Sequence, residues 1–190
     1  SASLSLGSGV FAIQDSGPSA TGEPTPVQSA DKMTLDESVG TSEDRATGEA
    51  ASNVYAATAG LHSTTAQFAD NFAGVINAGA DGVLSTTYAL NLAAATVGGT
   101  VASGMYAANG ADGAQGSALN LYVNSADGSI YAATESTGTK YFEISVNART
   151  GEVTFSENTS VAIWNPTGGT GSFDEAALLT VSGGSLNLVQ

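Results

Sequence analysis

Lys140-Tyr141-Phe142-Glu143-Ile144-Ser145-Val146-Asn147-Ala148-Arg149-Thr150-Gly151-Glu152-Val153-Thr154-Phe155 is the stretch that decides the fold class. In its first half Phe142, Ile144 and Val146 alternate with Tyr141, Glu143 and Ser145, the period of two of a strand with one buried and one wet face. The turn from Asn147 ends in Gly151, a residue free to take the positive φ that short hairpin loops require. Beyond it Val153 and Phe155 keep the same parity, so both strands send apolar side chains to a common core. The reading is an antiparallel hairpin.

The same grammar extends on both sides. Strand-like runs at 83–92, 118–123, 129–134, 140–147, 152–156, 160–164 and 185–189 are separated by turn signals at the spacing of a sandwich or barrel. Asn124-Ser125-Ala126-Asp127-Gly128 and Glu135-Ser136-Thr137-Gly138-Thr139 carry glycines suited to positive φ, like the turn ending in Gly151. The middle of the chain therefore reads as an antiparallel meander. Between 61 and 76, the spacing of Phe68, Phe72, Val75 and Ile76 predicts one short amphipathic helix. The expected fold is an all-β antiparallel sandwich with that helix attached.

Toward the N-terminus, residues 1–14 alternate Leu4, Leu6, Val10, Phe11 and Ile13 with small polar groups, as a half-buried strand does. Residues 15–30 hold Gly17-Pro18, Gly22, Pro24 and Pro26 with almost no large apolar side chain, which is the composition of a stiff, extended linker. A boundary is placed there: 1–30 is a strand segment and linker, and 31–190 is the sandwich module. The chain opens on Ser1 without a basic segment before its first apolar run, so it is expected to be a piece of something longer. Residues 41–59, rich in Ala, Glu, Ser and Thr, read as an irregular excursion.

Composition narrows the function. The 190 residues carry 18 Asp and Glu against 4 Lys and Arg, a formal charge of -14, with one His and no Cys. No thiol chemistry, disulfide or Cys-ligated metal is available. Four scattered cations (Lys32, Arg45, Lys140 and Arg149) cannot form the basic footprint that nucleic acid or an anionic membrane needs. No apolar run reaches the roughly 18 residues of a membrane-spanning helix.

His62 is the only imidazole, and no Gly-x-Ser-x-Gly elbow accompanies it, so it reads as a surface or loop residue rather than as a catalytic base. Trp164 and the tyrosines read as packing or face-covering residues. The carboxylates say more. Gly-Ala-Asp-Gly occurs at 79–82 and again at 110–113, and Asp127-Gly128 repeats its ending. An Asp between flexible glycines suits the loose, all-oxygen shell of Ca²⁺, and Asp-Gly is equally good turn chemistry. Asp36 and Glu37, adjacent at the entrance to the module, repel one another unless a cation or hydrogen-bond donors lie between them. The candidate metal ligands are therefore Asp36, Glu37, Asp81, Asp112 and Asp127.

Several segments taken in order resemble a known repeat. Val10-Phe11-Ala12-Ile13-Gln14-Asp15-Ser16-Gly17-Pro18 is similar to the closing segment, and Thr34-Leu35-Asp36-Glu37-Ser38-Val39-Gly40 to the opening segment, of the tandem repeats of giant repeats-in-toxin (RTX) adhesins. Thr87-Tyr88-Ala89-Leu90-Asn91-Leu92, the 141–147 and 150–155 runs, Ala162-Ile163-Trp164 and Ser185-Leu186-Asn187-Leu188-Val189-Gln190 follow in that repeat's order. The resemblance implies an immunoglobulin-like extender module that is Ca²⁺-dependent, extracellular and without catalytic activity. Its place is a bacterial surface adhesin exported by type I secretion and used in attachment and biofilm formation. The implied partners are neighbouring modules of the same chain, and the alternative is a domain that itself binds a surface glycan or peptide. By the same resemblance Asp36 and Glu37 lie near module junctions as calcium ligands.

Overall fold

The computed structural model describes residues 19–20, 22–27, 33, 35, 61–79, 82–93, 100–109, 114–158, 160–164, 179–181 and 185–190. Its main layer is a six-stranded antiparallel sheet in the order β2 (Leu61–Gln67), β9 (Glu152–Asn158), β8 (Phe142–Val146), β7 (Ile130–Ala133), β6 (Ala114–Val123), β5 (Val101–Asn109). Five of these strands, β5 to β9, follow one another along the chain. They form the meander expected from the turn residues, and β2 joins its far edge by pairing with β9. Gly128 and Gly151 have φ of 77° and 71°, the left-handed values their hairpins need. Gly138 does not; its turn is closed by a Gly138 N–H bond to the Glu135 carbonyl at 2.9 Å.

The parity read from the deciding stretch holds. Ile130 pairs with Ile144 and Ile144 with Phe155, which places β7, β8 and β9 in one register. Leu119, Leu121, Ile130, Ala132, Phe142, Ile144 and Val153 thus share the inner face. The second layer is β4 (Ala89–Leu92) paired antiparallel with β10 (Leu186–Val189), whose Leu90, Leu92, Leu186 and Leu188 close the core from the other side. Two packed layers with a shared apolar interior make an all-β sandwich. A smaller cluster of Phe72, Val75 and Tyr88 adjoins it, with Phe72 edge-on to Tyr88 at 5.8 Å between centroids.

β5 departs from ideal pairing. Its register with β6 slips between Ala102 and Tyr106 and again before Ala108, and Gly104 takes φ 77° at the first bulge. The buried Ser103 hydroxyl bridges the break, donating to the Leu119 carbonyl at 2.7 Å and accepting from the Met105 N–H at 3.0 Å. The outer rim of β5 is then covered by Thr180, whose N–H donates to the Ser103 carbonyl, and by Ile163, which bridges to Ala107. Such cover removes an exposed sheet edge.

Several expectations change. The predicted helix over 61–76 is a strand from Leu61 to Gln67, and only Ala69–Phe72 form a single 3-10 turn. Thr64 and Thr65 are β-branched, and the edge of β9 offers seven register partners, so pairing overrides the helical spacing of the aromatics. Of 83–92 only Ala89–Leu92 is strand, and Leu84 stands fully exposed. Within 160–164 the described pairing is the Ile163 bridge alone. Of β5 the sequence places only Tyr106 in a strand; the run 101–109 is not among the expected strands. The stretch read as linker includes β1 (Ser19–Ala20), which pairs antiparallel with β3 (Ile76–Asn77).

Candidate functional site

The cross-strand row Tyr122, Tyr131, Glu143, Ser156 on the outer face of the sheet follows from the register. Alternation turns these side chains away from the core. The Tyr122 and Tyr131 rings stack with centroids 5.5 Å apart, and Lys140 Nζ lies 4.9 Å from the Tyr131 centroid on the same sheet face. Lys140 also pairs with Glu143 at 2.8 Å, and the Tyr131 hydroxyl donates to the Ser136 carbonyl at 2.7 Å, fixing the 134–139 loop. Cation–π and cross-strand aromatic contacts of this kind contribute roughly 0.5–1 kcal/mol each at exposed sites.

Asp127 stands at the tip of the β6–β7 hairpin and feeds into the same network. Its Oδ1 accepts from the Ser129 N–H at 2.9 Å and from the Ser129 hydroxyl at 2.7 Å. The buried Ser129 Oγ also meets Glu143 Oε1 and receives the Asn124 amide at 3.4 Å. These bonds to Ser129, backbone first and hydroxyl second, hold the Asp127 carboxyl below its ordinary value, with a smaller pull from Lys140. Asp127 is thus held ionised as a turn former.

A carboxyl whose pKa falls on folding stabilises the fold above its unfolded value, and that contribution is lost as pH drops through the folded value. The neutral isostere Asp127→Asn should therefore lose stability relative to the parent at neutral pH. The gap should close below about pH 4. Urea melts of both proteins across the acid range check this.

As a calcium shell the Asp127 corner fits poorly. Ca²⁺ takes six to eight oxygens, whereas Asp127 Oδ1 is already engaged by Ser129 and the adjoining Glu143 is neutralised by the Lys140 ammonium. Asp36, Glu37, Asp81 and Asp112 lie outside the described residues. Among the described residues no three Asp, Glu or His side chains gather in one place. His62 sits on β2 directly opposite Glu157 of β9, away from the Asp127 corner in register.

Besides Ser103 and Ser129, two further buried polar residues escape the sequence reading. Glu157 is a carboxylate with only 4 % exposure, register partner of Phe142 and therefore on the inner face. The signal was present: the parity of Val153 and Phe155 carries on to 157. Asn71, also 4 % exposed, gives its amide to the carbonyls of Thr25 and Pro26, each at 3.3 Å. Nothing local in the sequence marks that partnership.

The fold and this outer face define an all-β sandwich module with a polar, aromatic wet side. No described helix is long and apolar enough to cross a membrane. The chain belongs to the family described as Domain of unknown function (DUF5801), whose model matches residues 32–190. No curated protein and no solved structure matches it.

Proposed function

We propose that the chain is a structural extender module of a large secreted bacterial surface adhesin, stabilised by calcium outside the cell and serving attachment and biofilm formation. The observation that carries this reading is the charge imbalance laid over a sandwich: 18 carboxylates against 4 cations. One of those cations, Lys140, is spent on Glu143. A string of such modules repels itself and extends, and divalent cations from the medium relieve the repulsion within each module. The ligands proposed are Asp36, Glu37, Asp81 and Asp112, with Asp127 retained as a turn former. Extracellular modules of this kind bind Ca²⁺ at roughly 10⁻⁴ to 10⁻³ M, so the module folds fully only after export. The resemblance of the ordered segments to RTX adhesin repeats supports the same assignment. Thermal melting in millimolar Ca²⁺ against chelator tests it.

A further inference from the structure

Residues 19–20 and 22–27 run along the outside of the body, and the bonds that hold them converge on one short element. β1 pairs Ser19 with Asn77 and Ala20 with Ile76. Further along, the Gly22 N–H donates to the Val75 carbonyl at 3.3 Å and the Thr25 N–H to the Asn71 carbonyl at 2.8 Å. The buried Asn71 side chain completes the attachment through the Thr25 and Pro26 carbonyls, each at 3.3 Å. These residues bury almost nothing large and apolar: Val27 is 61 % exposed, and the other described residues of the segment are exposed as well.

The segment also borders an open cleft of about 370 Å³ lined by Ser19, Ala20 and Pro24 together with Phe72, Val75 and Leu188. Ser19 and Ala20 therefore lie near β10.

We infer that residues 19–27 form a strap, latched by Asn71, that peels from the body under tension while the sandwich stays folded. Three features set the order of events. Pulling from the residue-19 side loads the strap's bonds one after another, and segments with few apolar contacts open at the lowest free energy. The sheet, in contrast, is tied by a buried core. Among the described residues Asn71 Oδ1 is buried without a hydrogen-bond partner, so release lets water satisfy it and lowers the cost of opening. Peeling yields about 30 Å of extended chain and moves the entry point away from β10 to the Val27 end of the strap. Pro24 and Pro26 keep the free strap stiff, which lets it dock again at little entropic cost.

This device rests on the reading of the chain as a spacer under tension, but its test does not require calcium or adhesion. Hydrogen exchange on the intact chain reads the Gly22 and Thr25 amides. In the parent both are expected to exchange at least about tenfold more slowly than in unstructured chain. Asn71→Asp should remove that protection at both amides while the amides of β6 to β9 keep theirs. Thr25→Pro, placed on the strap itself and far from the core, should remove it at Gly22.

Because the chain has no cysteine, Ser1→Cys and a cysteine appended after Gln190 give unique handles for single-molecule pulling. An early lengthening of about 30 Å ahead of sheet rupture, absent in Asn71→Asp, is the expected trace. Unprotected Gly22 and Thr25 amides in the parent, or rupture of strap and sheet in one step, would overturn the strap. A melt unmoved by calcium would overturn the spacer reading and leave these two results standing.

Discussion

Replacing Phe142 by alanine is expected to cost about 3–5 kcal/mol of folding stability, which lowers Tm by roughly 6–20 °C. Phe142 is 1 % exposed, sits in the central strand β8, and meets Phe155 edge-on at 5.4 Å between centroids. Its removal deletes a large buried area and leaves a cavity between two layers that share one core. The neighbours there include Ala132, too small to fill the gap. Since a domain of this size is stable by only about 5–15 kcal/mol, the loss is a large fraction of the total. Denaturant titration followed by tryptophan fluorescence reads it. A shift below about 1 kcal/mol would mean that β8 is not central to the core.

Gly104→Ala is expected to cost about 2–4 kcal/mol although it adds a single methyl group. Two independent constraints meet at this residue. Its φ of 77° lies in the left-handed region, where a Cβ is strained. The added Cβ would also stand 2.8 Å from the Thr180 Cβ and 3.1 Å from the Thr180 carbonyl oxygen. Relief requires Thr180 to withdraw, which breaks its N–H bond to the Ser103 carbonyl and uncovers the edge of β5. The variant should therefore aggregate more readily as well as melt earlier. Gly82→Ala is the control. It has the same φ of 77° with nothing within 4 Å of the added methyl, so it reports the backbone strain alone.

The contrast between β8 and β5 shows why one part of the fold could be read and another could not. Phe142, Ile144 and Val146 are large and apolar against polar neighbours, so the period of two is visible in the sequence. In β5 the inward residues are Val101, Ser103, Met105 and Ala107, and the outward ones include Ala102 and Gly104. Small residues on both faces erase the contrast on which the period depends.

β2 fails for a different reason. Its stability comes from pairing with β9, a partner remote in sequence, and local spacing of aromatics outweighed a register that only the folded chain makes available. The Asp127 turn was legible because Asp-Gly acts locally. Asn71 was not, since its acceptors lie 45 and 46 residues away.

The same distinction orders the functional reading. Charge is a property of composition and needs no fold to be counted, and the value of -14 bears directly on cations and partners. The placement of individual carboxylates depends on the fold. At Asp127 and Glu143 the partners are a serine and a lysine from the chain itself, which is why the calcium ligands proposed for the module are other carboxylates.

The most direct test of the calcium-stabilised spacer is a pair of thermal melts on the intact chain, one with excess chelator and one with millimolar Ca²⁺, at fixed ionic strength. Ca²⁺ at ten to a hundred times its dissociation constant adds about 1.4–2.7 kcal/mol for each site, so Tm should rise by several degrees. Magnesium at the same concentration should do markedly less, because its tight octahedral geometry suits a loose oxygen shell poorly. Superimposable melts with and without Ca²⁺ would contradict the account.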